Sequence, residues 1–234
     1  MNHRVALPVA IAGSLATALT AIPVAVPGPA TMTPIADEFA KVSPAWRVTS
    51  GSLFGHGPYL WSGVPDAGPA PHNDSAVLRA VSTGAGYRDA AVRFDLRVNA
   101  LSSTDRTPAR DFDGVHVMLR YRSEQDAWFV SVRRRDGRYA IKRKTPGGPS
   151  NGGTYRTLAA TDPMPVRPGW HHVEAAIRGD RTVTVSLRID GFPVLTAVDH
   201  VPAGTPAAGR VGLRGDNCDF LVRHFLVGPP LTRL

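Results

Sequence analysis

Between Thr182 and Ile189 the chain places Val183, Val185, Leu187 and Ile189 on one side and Thr182, Thr184, Ser186 and Arg188 on the other. A repeat of two marks a strand with one buried face, because successive side chains leave an extended backbone in opposite directions. Asp190-Gly191 follows, a pair that tolerates left-handed backbone and closes a hairpin into Phe192–Leu195. The same pattern recurs upstream. Ala91–Val98 sets Val92, Phe94, Leu96 and Val98 against Arg93, Asp95 and Arg97, and Gly114–Arg122 sets Val115, Val117, Leu119 and Tyr121 against His116, Met118, Arg120 and Arg122. Trp128–Arg135 and Arg138–Lys144 flank the turn Asp136-Gly137, and shorter strands are predicted at Trp46–Phe54, Val77–Val81, Tyr155–Leu158 and Val173–Ile177. No stretch sustains a helical period. Residues 62–75, 146–153 and 199–209, rich in Gly, Pro, Ser or Asp, read as surface loops. Strands broken by turns every ~8–12 residues predict an all-β, two-sheet antiparallel sandwich.

The first residues follow another rule. Arg4 is the only charged side chain before Asp37, and Val5–Leu19 is apolar, which is the layout of an export signal. The uncharged run is also long enough to span a bilayer as an anchor, although Pro23, Pro27 and Pro29 interrupt it. The expected organisation is residues 1–30 as signal peptide or membrane anchor, 31–44 as an entry segment, and 45–229 as one folded domain, secreted or at the cell surface. A single cysteine, Cys218, allows no internal disulfide, so the domain relies on its core.

The formal net charge is +8, and of 27 basic residues only Lys41, Lys142 and Lys144 are lysine. An electropositive surface favours acidic partners such as anionic glycans or wall polymers. An exported chain does not meet nucleic acid, and membrane contact follows only if the leader is retained.

Trp170-His171-His172-Val173, Thr182–Gly191 and Gly209–Val227, together with Trp46–Leu53 and Phe112–Arg135, resemble the concanavalin A-like lectin/glucanase superfamily. More narrowly they resemble LamG-like modules of exported bacterial proteins. The resemblance implies a jelly roll of two antiparallel sheets, a scaffold shared by lectins, glycan hydrolases, polysaccharide lyases and adhesion modules. The hydrolase and lyase signatures of the superfamily are missing. The only glutamates are Glu38, Glu124 and Glu174, so no Glu-x-Asp-x-Glu strand exists, and there is no Arg-x-Glu-x-Arg strand. No catalytic residue is assigned, and the enzyme question leans to no.

Two groups are candidate sites. His116, Arg120, Trp128, Arg133 and Arg135 are read as a ligand-binding face, since guanidinium groups clamp carboxylate or sulfate and an aromatic face covers a sugar ring. A solvated outer sheet face competes with that reading. Asp216, Asn217 and Asp219 are candidate calcium ligands, against the alternative that they only make a turn. His171, His172 and Glu174 are read as packing and hydrogen-bonding residues. The expected function is an exported carbohydrate- or wall-polymer-binding module for acidic glycans. The alternatives are a glycoside hydrolase-like enzyme on the same fold and a protein-interaction module. A carboxylate beside His116 favours the hydrolase; a shallow groove with Trp128 exposed favours the lectin.

Overall fold

A computed structural model describes residues 45–65, 76–165 and 167–230. The expected leader and entry segment, and residues 66–75 of the first long loop, lie outside the described residues.

Fourteen strands follow one another without a helix among the described residues: β1 (Trp46–Ser50), β2 (Phe54–His56), β3 (Tyr59–Trp61), β4 (Val77–Ser82), β5 (Ala90–Leu101), β6 (Gly114–Ser123), β7 (Asp126–Arg134), β8 (Ala140–Ser150), β9 (Gly153–Ala160), β10 (His171–Arg178), β11 (Thr182–Ile189), β12 (Phe192–His200), β13 (Arg210–Asp216) and β14 (Cys218–Gly228). They form two seven-stranded antiparallel sheets. The front sheet runs β1-β4-β13-β6-β7-β8-β9, and the back sheet runs β12-β11-β10-β5-β14-β3-β2.

Alternation fills the space between the sheets. From the front sheet come Val115, Val117, Leu119, Trp128, Val130, Ile141 and Leu213; from the back sheet come Val92, Phe94, Val173, Ile177, Val185, Leu187 and Phe220. Val183, Val185 and Leu187 are 0%, 0% and 1% exposed, as the period of two requires. Ile189, nearer the strand end, is only partly buried. A smaller cluster, Val81, Met118, Tyr121, Ala127 and Phe129, lies apart from this core, with Tyr155 against it.

Tyr121 departs from the simple alternation. Arg120 adopts φ +46°, and the β6–β7 register shifts between Leu119 and Ser123. Against β13 the bulge inserts one extra residue, since Tyr121 pairs with Arg210 and Met118 with Gly212, so Tyr121 leaves the core face on which Leu119 sits and joins Met118 and Phe129. The Pro-Gly segment also differs from expectation. Residues 146–150 extend β8 instead of leaving the sheet, and the hairpin into β9 absorbs its extra residues as an irregularity between Pro146 and Ser150. Likewise β12 runs on to His200, into the segment read as a loop. The hairpin β2–β3, with only three residues per strand, is too short to show a period.

The chain crosses from front to back sheet at Asn217, which separates β13 from β14 in a left-handed conformation of φ +45°. Its side chain holds the crossing: Oδ1 accepts the Ala76 N–H at 2.8 Å, and Nδ2 donates to Asp113 Oδ2 at 3.2 Å.

Candidate functional site

The outward-pointing residues of the front sheet line a cleft of about 640 Å³. In β4 and β13, Arg79 and Arg214 alternate with buried Leu78, Ala80 and Leu213, so both guanidinium groups rise from the outer face. His116 of β6 stands opposite Ser131 of β7, and β8 contributes Lys142 and Lys144 on either side of inward-turned Arg143. Tyr155 comes from β9, and Phe129 adds an apolar surface.

A polar chain crosses the floor of this cleft. Arg214 donates to both oxygens of Asp216, Nε to Oδ2 and an Nη to Oδ1, each at 2.7 Å. Such a paired fork fixes both side chains. Asp216 Oδ2 also lies 3.2 Å from His116 Nε2, and His116 Nδ1 lies 2.8 Å from Ser131 Oγ. Burial raises the Asp216 carboxyl, but the Arg214 charge and the hydrogen bonds from His116 and Arg214 outweigh it and hold the group well below the usual carboxylate range. Burial lowers the His116 imidazole, and Asp216 offsets this only in part. A neutral imidazole facing a carboxylate carries its proton on Nε2, which leaves Nδ1 to accept from the Ser131 hydroxyl.

The remaining charges are arranged unequally. Arg79 donates Nε to Thr49 Oγ1 at 2.9 Å and pairs with Glu124. Both cleft carboxylates, Glu124 and Asp216, are therefore already engaged by arginine. Lys142 and Lys144 form no ion pair among the described residues, although both line the cleft. The Lys144 ammonium sits 4.8 Å from the Tyr155 ring centroid, a cation–π contact. Burial, followed by the Arg214 charge, pushes Lys144 down to about 8, and burial lowers Lys142 in the same sense.

No protein-family model matches the sequence, and a search of curated proteins returns no match. Solved structures do match. One is the carbohydrate-binding module CBM66 from Bacillus subtilis, at 13% identity and a TM-score of 0.55, covering 78% of this chain and 94% of that one. A protein of unknown function with a galectin-like fold, also from Bacillus subtilis, gives 13% identity and 0.52, covering 80% and 90%. The carbohydrate recognition domain of Emp47p gives 9% and 0.50, covering 82% and 91%. The fold is the concanavalin A-like jelly roll.

Within this concanavalin A-like sandwich the residues singled out from sequence scatter. Of the five read as one binding face, only His116 lines the front-sheet cleft. Trp128 is 0% exposed between the sheets, offers no face to solvent, and donates its indole N–H to Asp199. Its parity on β7 is opposite to that of Ser131, which His116 faces. Arg120 is buried beside Trp128, held by the Arg88 carbonyl at 2.8 Å and the Gly179 carbonyl at 2.6 Å. The bulge at its own backbone turns it away from the cleft. Arg135 lies beyond the end of β7, donating to Asp113 and to the Ser102 carbonyl. Arg133 lines a different cavity.

Asp216, Asn217 and Asp219 are not brought together, because the sheet crossing at Asn217 divides them. Asp216 belongs to the front sheet and is occupied by Arg214 and His116. Asp219 belongs to the back sheet and accepts from Trp61 Nε1 at 2.8 Å and Asn99 Nδ2 at 3.0 Å. Among the described residues no group of three or more His, Cys, Asp or Glu side chains is placed to hold a metal ion. His171 and His172 bond to Asp190 and Asp95, and Glu174 pairs with Arg93.

Arg79, Arg214, Lys142, Lys144 and Tyr155 complete the cleft; Lys142 and Lys144 end a strand that the sequence sets beside the candidate basic face, whereas Arg79, Arg214 and Tyr155 were not assigned to it. The alternation of Ile141 and Arg143 with Lys142 and Lys144 was the signal available for the two lysines.

Proposed function

We propose that this protein binds an anionic carbohydrate or wall polymer through the front-sheet cleft, as an exported LamG-like module. The observation that carries the reading is the pair Lys142, partly buried, and Lys144, 2% exposed on the cleft floor against Tyr155, cations without a carboxylate partner among the described residues. Two ammonium groups supply charge for a uronate or sulfate, and an aromatic ring supplies apolar contact for a sugar. The carbohydrate-binding module and the carbohydrate recognition domain that share the fold support a glycan as the ligand class. The test is titration calorimetry against acidic and neutral polysaccharides. Binding confined to acidic ones, and weakened at least ~10-fold by Lys142→Met with Lys144→Met, is expected; equal affinity of the double variant overturns the reading.

A hydrolase on the same scaffold is the second reading, favoured by one observation. A carboxylate, Asp216, does stand beside His116, and Ser131 completes a hydrogen-bonded chain that faces the cleft. The same polysaccharides scored for released product separate the two. Turnover lost in Ser131→Ala supports the hydrolase; binding without turnover leaves the lectin reading.

A further inference from the structure

We infer that the cavity holding Arg133 is a second ligand site, separate from the front-sheet cleft, that takes an alkyl carboxylate: one anionic head on an apolar tail.

The cavity has a volume of about 430 Å³ and opens between β7 of the front sheet and β5, β10, β11 and β12 of the back sheet. Leu96, Val98, Val132, Ile189 and Val194 form its apolar walls. Arg133 reaches it because of an irregularity in the ladder. Val115 pairs with Arg133 but the next residue, His116, pairs with Ser131, so β7 carries one extra residue. The bulge re-aims Arg133 from the outer face toward the space between the sheets.

Most arginines of the front sheet have an acidic or carbonyl partner; Arg134 pairs with Asp136, Arg143 with Asp126, and Arg214 with Asp216. Arg133 differs. Its Nε is buried without a hydrogen-bond partner, the one such side-chain atom among the described residues, and its guanidinium forms no ion pair there. Asp190, the carboxylate on the cavity lining, is committed to His171 Nδ1 at 2.8 Å and to the His172 N–H at 2.8 Å. Arg167, also on the lining, adds a second positive charge.

Arg133 is partly buried, and its Nε is shut off from water without an acceptor; a carboxylate that enters beside it supplies that acceptor and a compensating charge. The walls ask for the opposite chemistry: they gain by covering hydrocarbon. One molecule satisfies both only if it carries a single anionic end and a flexible apolar body. A sugar matches them less well, since Leu96, Val98, Val132, Ile189 and Val194 offer its hydroxyls no partner. The site is therefore distinct in ligand class from the lysine-lined cleft, and it stands whether or not that cleft binds glycans.

The experiment titrates octanoate into the protein, with octanol and acetate as controls, followed by calorimetry and by methyl NMR. Octanoate is expected to bind with Kd below ~1 mM, at least ~10-fold tighter than octanol or acetate. Arg133→Met, which keeps the length and removes the charge, is expected to weaken octanoate at least ~10-fold while leaving the melting temperature equal or higher. The methyl signals of Val132 and Val194 are expected to shift, and those at the front-sheet cleft to stay. No octanoate binding at ~10 mM, shifts confined to the Lys142–Lys144 cleft, or equal affinity of Arg133→Met overturns the inference. If Arg133→Met does not fold, the pattern of methyl shifts in the wild type decides alone.

Discussion

The Trp128 indole N–H donates to Asp199 Oδ2 at 2.9 Å, and this single bond joins β7 of the front sheet to β12 of the back sheet through the core. The Asp199 side chain is fully buried and also holds Arg156, while Arg143 lies over the Trp128 ring at 4.0 Å from its centroid. Asp199→Ala leaves a buried indole N–H without an acceptor and is expected to cost ~1–3 kcal/mol in urea denaturation. Asp199→Asn retains one acceptor oxygen and is expected to cost less. Equal midpoints for wild type and Asp199→Ala would show that the bond contributes nothing.

The Lys144 ammonium attracts an anion only while protonated. With its pKa lowered to about 8 by burial and then Arg214, affinity for an acidic glycan is expected to fall as pH rises through about 8. Lys144→Met is expected to flatten that step. Folding stability moves the other way. The unfolded lysine keeps its proton up to its ordinary 10.5, so between about 8 and 10.5 the unfolded state holds more protons and stability rises with pH. Calorimetric titrations at pH 7 and pH 9, paired with denaturation at the same values, test both signs.

Acid has two effects at the cleft floor. Folded His116 is lowered by burial, so the stability of its neutral form is present above the ordinary histidine value and is lost as pH falls below it. Asp216 is also lowered, against the effect of burial, by Arg214 and His116; its contribution is present above the ordinary carboxylate value and is lost in stronger acid. Denaturation midpoints followed from pH 7 to pH 2 are expected to fall in two stages, the second beginning below the ordinary carboxylate value of 3.8. His116→Gln is expected to remove the first stage and keep the second.

Gly114 opens β6 at φ +141°, and a Cβ there would sit 1.8 Å from the Arg133 carbonyl oxygen. No rotamer relieves a clash with backbone, so Gly114→Ala must separate β6 from β7 or distort the turn before them. A loss of about 3 kcal/mol is expected by thermal and urea denaturation. A variant as stable as wild type would place the constraint elsewhere.

The framework was legible because it rests on local alternation. Val183, Val185 and Leu187 follow the period on which the two sheets depend, and Asp190-Gly191 turns where its composition requires, with Asp190 at φ +52°. The site was legible only in part. His116 could be placed on an outer face from its own strand, and Trp128 shares the inward parity of Val130 and Val132, but Arg133 depends on where β7 slips against β6. A one-residue bulge leaves no trace in either strand alone, and it exchanges inside for outside. Arg79 and Arg214 meet His116 only through the order β4-β13-β6, which joins segments more than a hundred residues apart in part. Asp216 and Asp219 look like neighbours in a loop; a change of layer at Asn217 separates them.

The β8–β9 hairpin tip forms one wall of the front-sheet cleft, through Pro149, Ser150 and Asn151, and it rests on the adjacent turn where Gln125 Nε2 donates to the Asn151 carbonyl and Asn151 Nδ2 donates to Glu124. None of these residues enters the packed interior. Lengthening or shortening that tip can resize the groove while the sandwich keeps its sequence, so variants of this protein can diverge in how long a chain they accept without renegotiating how they fold.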